Sequence, residues 1–168
     1  MPIASYRQPG ALPWPRSSIS LPVLVSAAAM ISTIAVGTDG SATASKAVDV
    51  AAEMARRFDA RLVLMSVYRE AKGTPRGADP ELQWATNPAA RMREILDRTA
   101  EKLGGAGIEC TTLAHEGDPA GTLVELAKEC DADLLVIGNK GMDRRILGSV
   151  PNTVAHRAPC SVLVVKTT

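Results

Sequence analysis

Short apolar runs alternate with segments of helical periodicity from residue 31 to the end of the chain. Five such runs occur: ISTIAVG (31–37), RLVLMSVY (61–68), GIECTTLAHEG (107–117), ADLLVIG (132–138) and CSVLVVK (160–166). Near-continuous apolar runs of this length are typical of parallel strands that are buried on both faces. The third run is more polar than the others, so we predict that it forms an edge strand.

The segments between the runs carry helical signals. Residues 41–58 and 89–103 repeat apolar side chains at helical spacing, and residues 118–130 open with an Asp cap and a Pro. A fourth helix is predicted from about Val150 to Arg157, and residues 69–88, which show no period, are predicted to be a long loop. The alternation predicts an α/β fold: a five-stranded parallel sheet, order 3-2-1-4-5, with helices on both faces.

This strand order brings two unusual loops together. The winding direction reverses between the first and fourth strands, and ligands of open α/β sheets bind at such a switch point. GTDGS (37–41) ends the first strand, and GNKGMDRRILGSVPN (138–152) follows the fourth. We therefore predict that these loops form one site, although they lie far apart in the sequence.

The second loop has features of a phosphate site. Gly138 and Gly141 let the backbone approach a ligand closely, and Gly148-Ser149 stands before a helix whose N-terminal amides attract anions. The Ser149 hydroxyl can cap that helix or bind a phosphate oxygen. Three basic residues lie nearby: Lys140, Arg144 and Arg145. A Gly after a buried strand and a Ser before a helix are also common without any ligand. Neither of the general phosphate-loop motifs, GxxxxGK[ST] and GxGxxG, is present.

Asp39 is the notable residue of the first loop. An acid at the end of the first strand can accept hydrogen bonds from a ribose or from an adenine amino group. Asp-Gly is also common turn chemistry, and an Asp here can cap the helix that begins near Ser41. Its place at the predicted switch point favours the binding interpretation.

The composition argues against several classes of protein. The net charge is +1 and aromatic residues make up 3% of the chain, so a nucleic-acid binder is not expected. The three cysteines and two histidines have no metal-ligand spacing. We interpret the cysteines as small buried residues in a reducing cytoplasm. No apolar run is long enough to span a membrane.

Residues 1–29 differ from the rest of the chain. They are rich in Pro and Ser and contain no acidic residue, and their apolar stretch Leu21–Ala29 loosely imitates a secretory signal. Met30, directly before the first strand, would be a natural start. For residues 1–29 we predict either a disordered tail or a start of translation assigned too far upstream. Residues 30–168 are predicted to form a single domain.

Together the two loops resemble the universal stress protein family. STIAVGTDGSATASKAVDVA is similar to the family's opening strand, loop and helix, and DADLLVIGNKGMDRRILGSVPNTVAHRAPCSVLVVKTT is similar to its closing half. The resemblance covers about residues 31–168. It implies a Rossmann-like, adenine nucleotide alpha hydrolase-like fold that binds an adenine nucleotide and acts as a regulator in stress responses.

The resemblance also implies site residues. In the ATP-binding branch the pattern is Gly-x2-Gly-x9-Gly-[Ser/Thr], which Gly138, Gly141 and Gly148-Ser149 match. Asp39, with Gly37 and Thr38 beside it, matches the acid at the ribose-adenine end. The remaining matches are Val67 in the apolar wall of the adenine site, Ile137 at the base and Val150 near the phosphates.

One departure concerns the size of the ligand. Six residues, not nine, separate Gly141 from Gly148. If the shortening lies in an exposed part of the loop, Gly148 can still reach the phosphates, and Arg144 and Arg145 are drawn closer. If it lies in the cradle, the site is too small for a triphosphate, so AMP and cyclic AMP compete with ATP and its Mg²⁺ as the expected ligand.

The resemblance further implies a homodimer that pairs through the last strand, Ser161 to Thr168. An exposed edge strand is a liability unless it is covered or paired. No catalytic constellation is visible, so we expect binding without efficient turnover in the cytoplasm. A slow ATPase or nucleotidyl transferase on the same site and a nucleotide-free interaction module stay open as alternatives.

Overall fold

A computed structural model of the protein describes residues 31–69, 87–139 and 147–167. Strands and helices alternate within these ranges: β1 (Thr33–Gly37), α1 (Ala42–Phe58), β2 (Arg61–Tyr68), α2 (Pro88–Gly105), β3 (Cys110–Glu116), α3 (Pro119–Glu129), β4 (Leu134–Asn139), α4 (Ser149–Arg157) and β5 (Ser161–Lys166). The segments outside the described residues include the predicted tail (1–29), most of the predicted loop (69–88), and residues 140–146 of the glycine loop, our name for residues 138–149.

The strands form one parallel sheet in the order β3-β2-β1-β4-β5. This confirms the predicted fold class and strand order, and it places the polar strand β3 at an edge as expected. The element ends differ by a few residues from the predicted runs. β1 begins at Thr33 instead of residue 31, and α4 begins at Ser149 instead of Val150.

The two faces of the sheet are buried under different helices. On one face, Ile34, Val36 and Leu64 pack with α1 and α2, whereas on the other, Ala35, Met65 and Ile137 pack with α3 and α4. Successive strand residues point to opposite faces, and residues 34–36 are all fully buried. The near-continuous apolar runs of the sequence therefore reflect helices on both faces, as predicted.

Side-chain caps fix the start of three helices. The Ser41 hydroxyl accepts the Ala44 N–H at the start of α1, and Asn87 and Asp118 do the equivalent for α2 and α3. Such caps satisfy amides that have no partner within the helix. Helix α4 differs, because its N-cap residue, Gly148, provides no side-chain hydrogen bond.

Candidate functional site

The carboxyl ends of β1 and β4 open a crevice at the centre of the sheet. These strands are neighbours, but the helices that follow them lie on opposite faces: α1 packs with one core cluster and α4 with the other. The chain therefore leaves the two strand ends in opposite directions, which is the geometry of a topological switch point.

A cavity of about 320 Å³ occupies this crevice. Its lining residues come from the ends of strands and the first turns of helices: Gly37, Thr38, Asp39, Ser41, Thr43, Ala44, Met65, Val67, Pro119, Leu123, Ile137, Gly138, Val150 and Pro151. Seven residues that the sequence singled out are among them: Gly37, Thr38, Asp39, Val67, Ile137, Gly138 and Val150. The volume is at the lower end of the range for small-molecule pockets.

The loop after β1 is held by local hydrogen bonds. Thr38 N–H donates to the Met65 carbonyl (2.8 Å), Gly40 N–H to Thr38 Oγ1 (3.2 Å) and Ser41 N–H to Asp39 Oδ1 (2.9 Å). The last contact is the turn interaction that the sequence allowed for Asp39. It fixes the Asp39 carboxylate at the rim of the cavity, so the turn role and a ligand role are compatible.

Gly138 lies where the chain is too crowded for a side chain. A Cβ at this position would lie 3.3 Å from Thr167 Cγ2 and 3.6 Å from both the Ala47 Cβ and the Thr43 carbonyl oxygen. The closest of these distances is tighter than ordinary van der Waals contact. Packing alone therefore accounts for a glycine here, and Gly138 also lines the cavity.

Helix α4 begins beside the cavity, and Ser149 does not cap it. Ser149 is the first helical residue and Gly148 is the N-cap, with no side-chain cap bond. The capping role considered for Ser149 is therefore wrong, because a first-turn residue lies beyond the N-cap position from which a hydroxyl can accept the free amides. Val150 and Pro151 line the cavity. Gly148 and Ser149, which precede them in the chain, are not among its lining residues.

Three predicted site residues lie outside the described residues: Gly141, Arg144 and Arg145. The same holds for Lys140 and for the shortened stretch between Gly141 and Gly148. Their contribution to the site stays a prediction.

Sequence reasoning missed one wall of the cavity. Pro119 and Leu123, in the first turns of α3, line it, and a Cβ on Gly37 would lie 3.2 Å from Leu123 Cδ2. The Asp-Pro start of α3 was visible in the sequence, but nothing local indicated that this helix packs against the end of β1. Thr43 and Ala44, in the first turn of α1, were missed as well.

A charged pair marks the outer side of this wall. Arg69 Nη2 lies 2.8 Å from Asp118 Oδ1, and both side chains are exposed. The Gly121 amide that donates to Asp118, together with Arg69, holds the pKa of this carboxyl below its ordinary value. The contact joins the end of β2 to the start of α3, next to Pro119 of the cavity wall.

The cysteines, predicted to be small buried residues, are all free and only partly buried. Desolvation raises the pKa of Cys110, Cys130 and Cys160, which disfavours the reactive thiolate form. Within the three described ranges, no group of three His, Cys, Asp or Glu side chains is placed to hold a metal ion. No helix in the same ranges is long and apolar enough to cross a membrane.

The fold and the crevice define a doubly wound α/β protein with a cavity at its switch point. The family model described as "Universal stress protein family" matches residues 30–166. The universal stress protein Rv1636 of Mycobacterium tuberculosis is 40% identical over 142 residues, which cover 81% of this chain and 97% of the relative. The chain belongs to the universal stress protein family.

Solved structures agree with this assignment. A universal stress protein crystallised in complex with cAMP is 35% identical, has a TM-score of 0.64, and covers 82% of this chain and 98% of its own. The universal stress protein UspA from Lactobacillus plantarum is 27% identical with a TM-score of 0.67, over 82% of this chain and 99% of its own.

Proposed function

We propose that this protein binds an adenine nucleotide in the crevice between β1 and β4 and acts as a cytoplasmic regulator in stress responses. One observation carries the proposal: residues from the β1 loop, the end of β4 and the start of α4 line a single cavity at the switch point. The complex of a similar family member with cAMP supports the same class of ligand.

The chemistry of the cavity suits a nucleoside at its inner end. Val67, Leu123 and Ile137 offer apolar surface to a purine ring. In the proposed complex, Asp39, which lines the cavity and whose Oδ1 accepts the Ser41 N–H, accepts hydrogen bonds from ribose hydroxyl groups. The combination of apolar walls with one oriented acceptor favours a nucleoside over a purely anionic ligand.

The start of α4 suits a phosphate. First-turn amides have no partner within a helix and attract anions. Pro151 has no N–H, so Ser149 and Val150 supply the donors, with the Ser149 hydroxyl beside them. Arg144 and Arg145, which are known from the sequence only, would add positive charge. Where ATP is the ligand, Mg²⁺ would accompany it.

The small cavity and the shortened glycine loop favour a compact nucleotide. The six residues between Gly141 and Gly148 give less reach around a triphosphate than the nine of the family pattern. We therefore propose AMP or cyclic AMP ahead of ATP, a preference that the complex with cAMP also supports.

The protein acts as a homodimer in this proposal. Strand β5 is an edge of the sheet, and its apolar residues Val162 to Val165 are only partly buried. Antiparallel pairing of two β5 strands would cover them and satisfy the edge.

Isothermal titration of the purified chain tests the ligand. We expect cAMP, AMP and ATP (with Mg²⁺) to bind, and GTP to bind at least tenfold more weakly. Asp39→Ala should weaken binding of cAMP about threefold to tenfold, because it removes a ribose acceptor. Asp97→Ala, an exposed carboxylate on α2, is the matched control. Equal affinity for GTP, or equal effects of the two variants, would contradict the proposed site.

A further inference from the structure

A side chain ties the two ends of the glycine loop together. Asn139, the last residue of β4, accepts the Gly148 N–H on its Oδ1 at 3.3 Å. The contact joins residues nine positions apart, on either side of the loop that follows β4. It therefore sets how the start of α4 lies relative to the carboxyl end of the sheet.

At the start of helix α4, the side-chain hydrogen bond comes from a residue outside the helix. Its N-cap, Gly148, has no side chain, while α1, α2 and α3 have Ser, Asn and Asp caps. In a capping box, a Glu or Gln at the third helical position reaches back to the N-cap N–H. Here that position is Pro151, so Asn139 supplies the acceptor from outside the helix.

The backbone of Asn139 is anchored firmly enough to serve this purpose. Its carbonyl accepts the Thr167 hydroxyl at 2.7 Å and the Thr167 N–H at 3.3 Å. Thr167 is 2% exposed, and its own carbonyl accepts a hydrogen bond from Lys46 Nζ at 2.7 Å. The acceptor of the Gly148 amide therefore belongs to a partly buried hydrogen-bond network that reaches α1.

We infer that Asn139 is a positioning residue for the phosphate group of the ligand. Its amide oxygen fixes Gly148, and this places the N–H groups of Ser149 and Val150 toward the phosphate position above the end of β4. The inference rests on the proposed function and deepens it: Asn139 acts on the phosphate end of the site through α4 and not on the nucleoside end.

Two measurements on Asn139→Ala test this. Without ligand, hydrogen exchange of residues 147–157 should be about threefold to tenfold faster than in the wild type, because one hydrogen bond is lost. With ligand, the affinity for cAMP should fall about threefold to tenfold while the affinity for adenosine, which has no phosphate, stays within twofold. Asn152→Ala, an exposed Asn on the same helix, should change neither quantity.

The outcomes are distinct. Equal losses of affinity for cAMP and adenosine would show a merely structural role. Tighter cAMP binding would show that Asn139 competes with the phosphate for the Gly148 amide. Either result overturns the inference. If the wild type binds no adenine nucleotide, the proposed function fails and the inference fails with it, while the exchange experiment still reports on the contact itself. Should the alanine variant not fold, Asn139→Ser, whose hydroxyl is too short to reach Gly148, replaces it.

Discussion

The ammonium group of Lys46 donates a 2.7 Å hydrogen bond to the backbone carbonyl of Thr167. Lys46 lies on α1 and Thr167 directly follows β5, so the contact links α1 to the residue after β5. Thr167 in turn packs against Gly138 and bonds to the carbonyl of Asn139. Thr167 thus contacts the end of β4, where Gly138 lines the cavity.

Lys46→Met should lower the free energy of unfolding by about 0.5–1 kcal/mol, because a charge-assisted hydrogen bond is lost at a partly solvated position. Urea denaturation measures the change. Lys102→Met is the matched control, since Lys102 makes only an exposed ion pair to Asp49 at 3.8 Å. Equal losses in the two variants would show that the contact with Thr167 contributes nothing specific.

Asp133 should make the stability depend on pH. Its Oδ2 accepts the Ser32 N–H (2.8 Å), the Ser32 hydroxyl (2.8 Å) and the Thr33 N–H (3.0 Å), and the Ser32 amide first, then the other two donors, hold its pKa below the ordinary value. A lowered carboxyl pKa contributes stability above the pKa of the unfolded chain, and this is lost as the pH falls below about 4.

Asp133→Asn should therefore be less stable than the wild type at pH 7, by less than about 1 kcal/mol because the group is exposed, and the difference should shrink toward pH 3. Thermal unfolding between pH 3 and 7 measures it. Asp97→Asn, at an exposed position on α2, is the control for the loss of one carboxylate. A difference that is constant across this range would show that the carboxylate charge is not responsible.

Gly40→Ala should destabilise the fold by about 1–3 kcal/mol. Gly40 has a φ of +76°, and a Cβ there would lie 2.9 Å from two atoms of Ile95. Gly104→Ala is the control, because a Cβ on this helical glycine meets nothing within 4 Å, and alanine favours helix. Chemical denaturation of both variants decides: an alanine that is tolerated equally at residues 40 and 104 contradicts the described β1 loop.

A charge on the last strand should separate the proposed homodimer. Val164→Asp should convert a species of twice the 17.7 kDa chain mass into a monomer, as measured by sedimentation velocity. Leu113→Asp is the matched control, because Leu113 is a partly buried residue of the opposite edge strand β3, in contact with the same core cluster. Dissociation by both variants, or by neither, would argue against pairing through β5.

The sequence predicted the sheet because burial on both faces leaves a strong local pattern. Ile34, Ala35 and Val36 alternate between the two core clusters, and this requires an unbroken apolar run. The position of the crevice followed from strand order. The wall made by Leu123 did not, because it depends on where α3 crosses the sheet.

Long-range side-chain contacts also escaped prediction. The Asn139 Oδ1 to Gly148 N–H bond has no local sequence pattern, since an Asn after a strand is ordinary loop chemistry. The hydroxyl of Ser149 was assigned a possible cap from its type alone. The N-cap is instead the preceding glycine, with its ψ of 163°, because the backbone conformation determines which residue is the N-cap.

Equilibrium dialysis with labelled cAMP tests the central claim most directly, in the wild type and in Val67→Trp, which would fill the cavity from its β2 wall. Val50→Trp on the exposed side of α1 is the control. We expect one nucleotide per chain in the wild type and in Val50→Trp, and at least tenfold weaker binding in Val67→Trp. No uptake at millimolar nucleotide, or uptake that Val67→Trp leaves unchanged, would contradict a nucleotide site in this crevice.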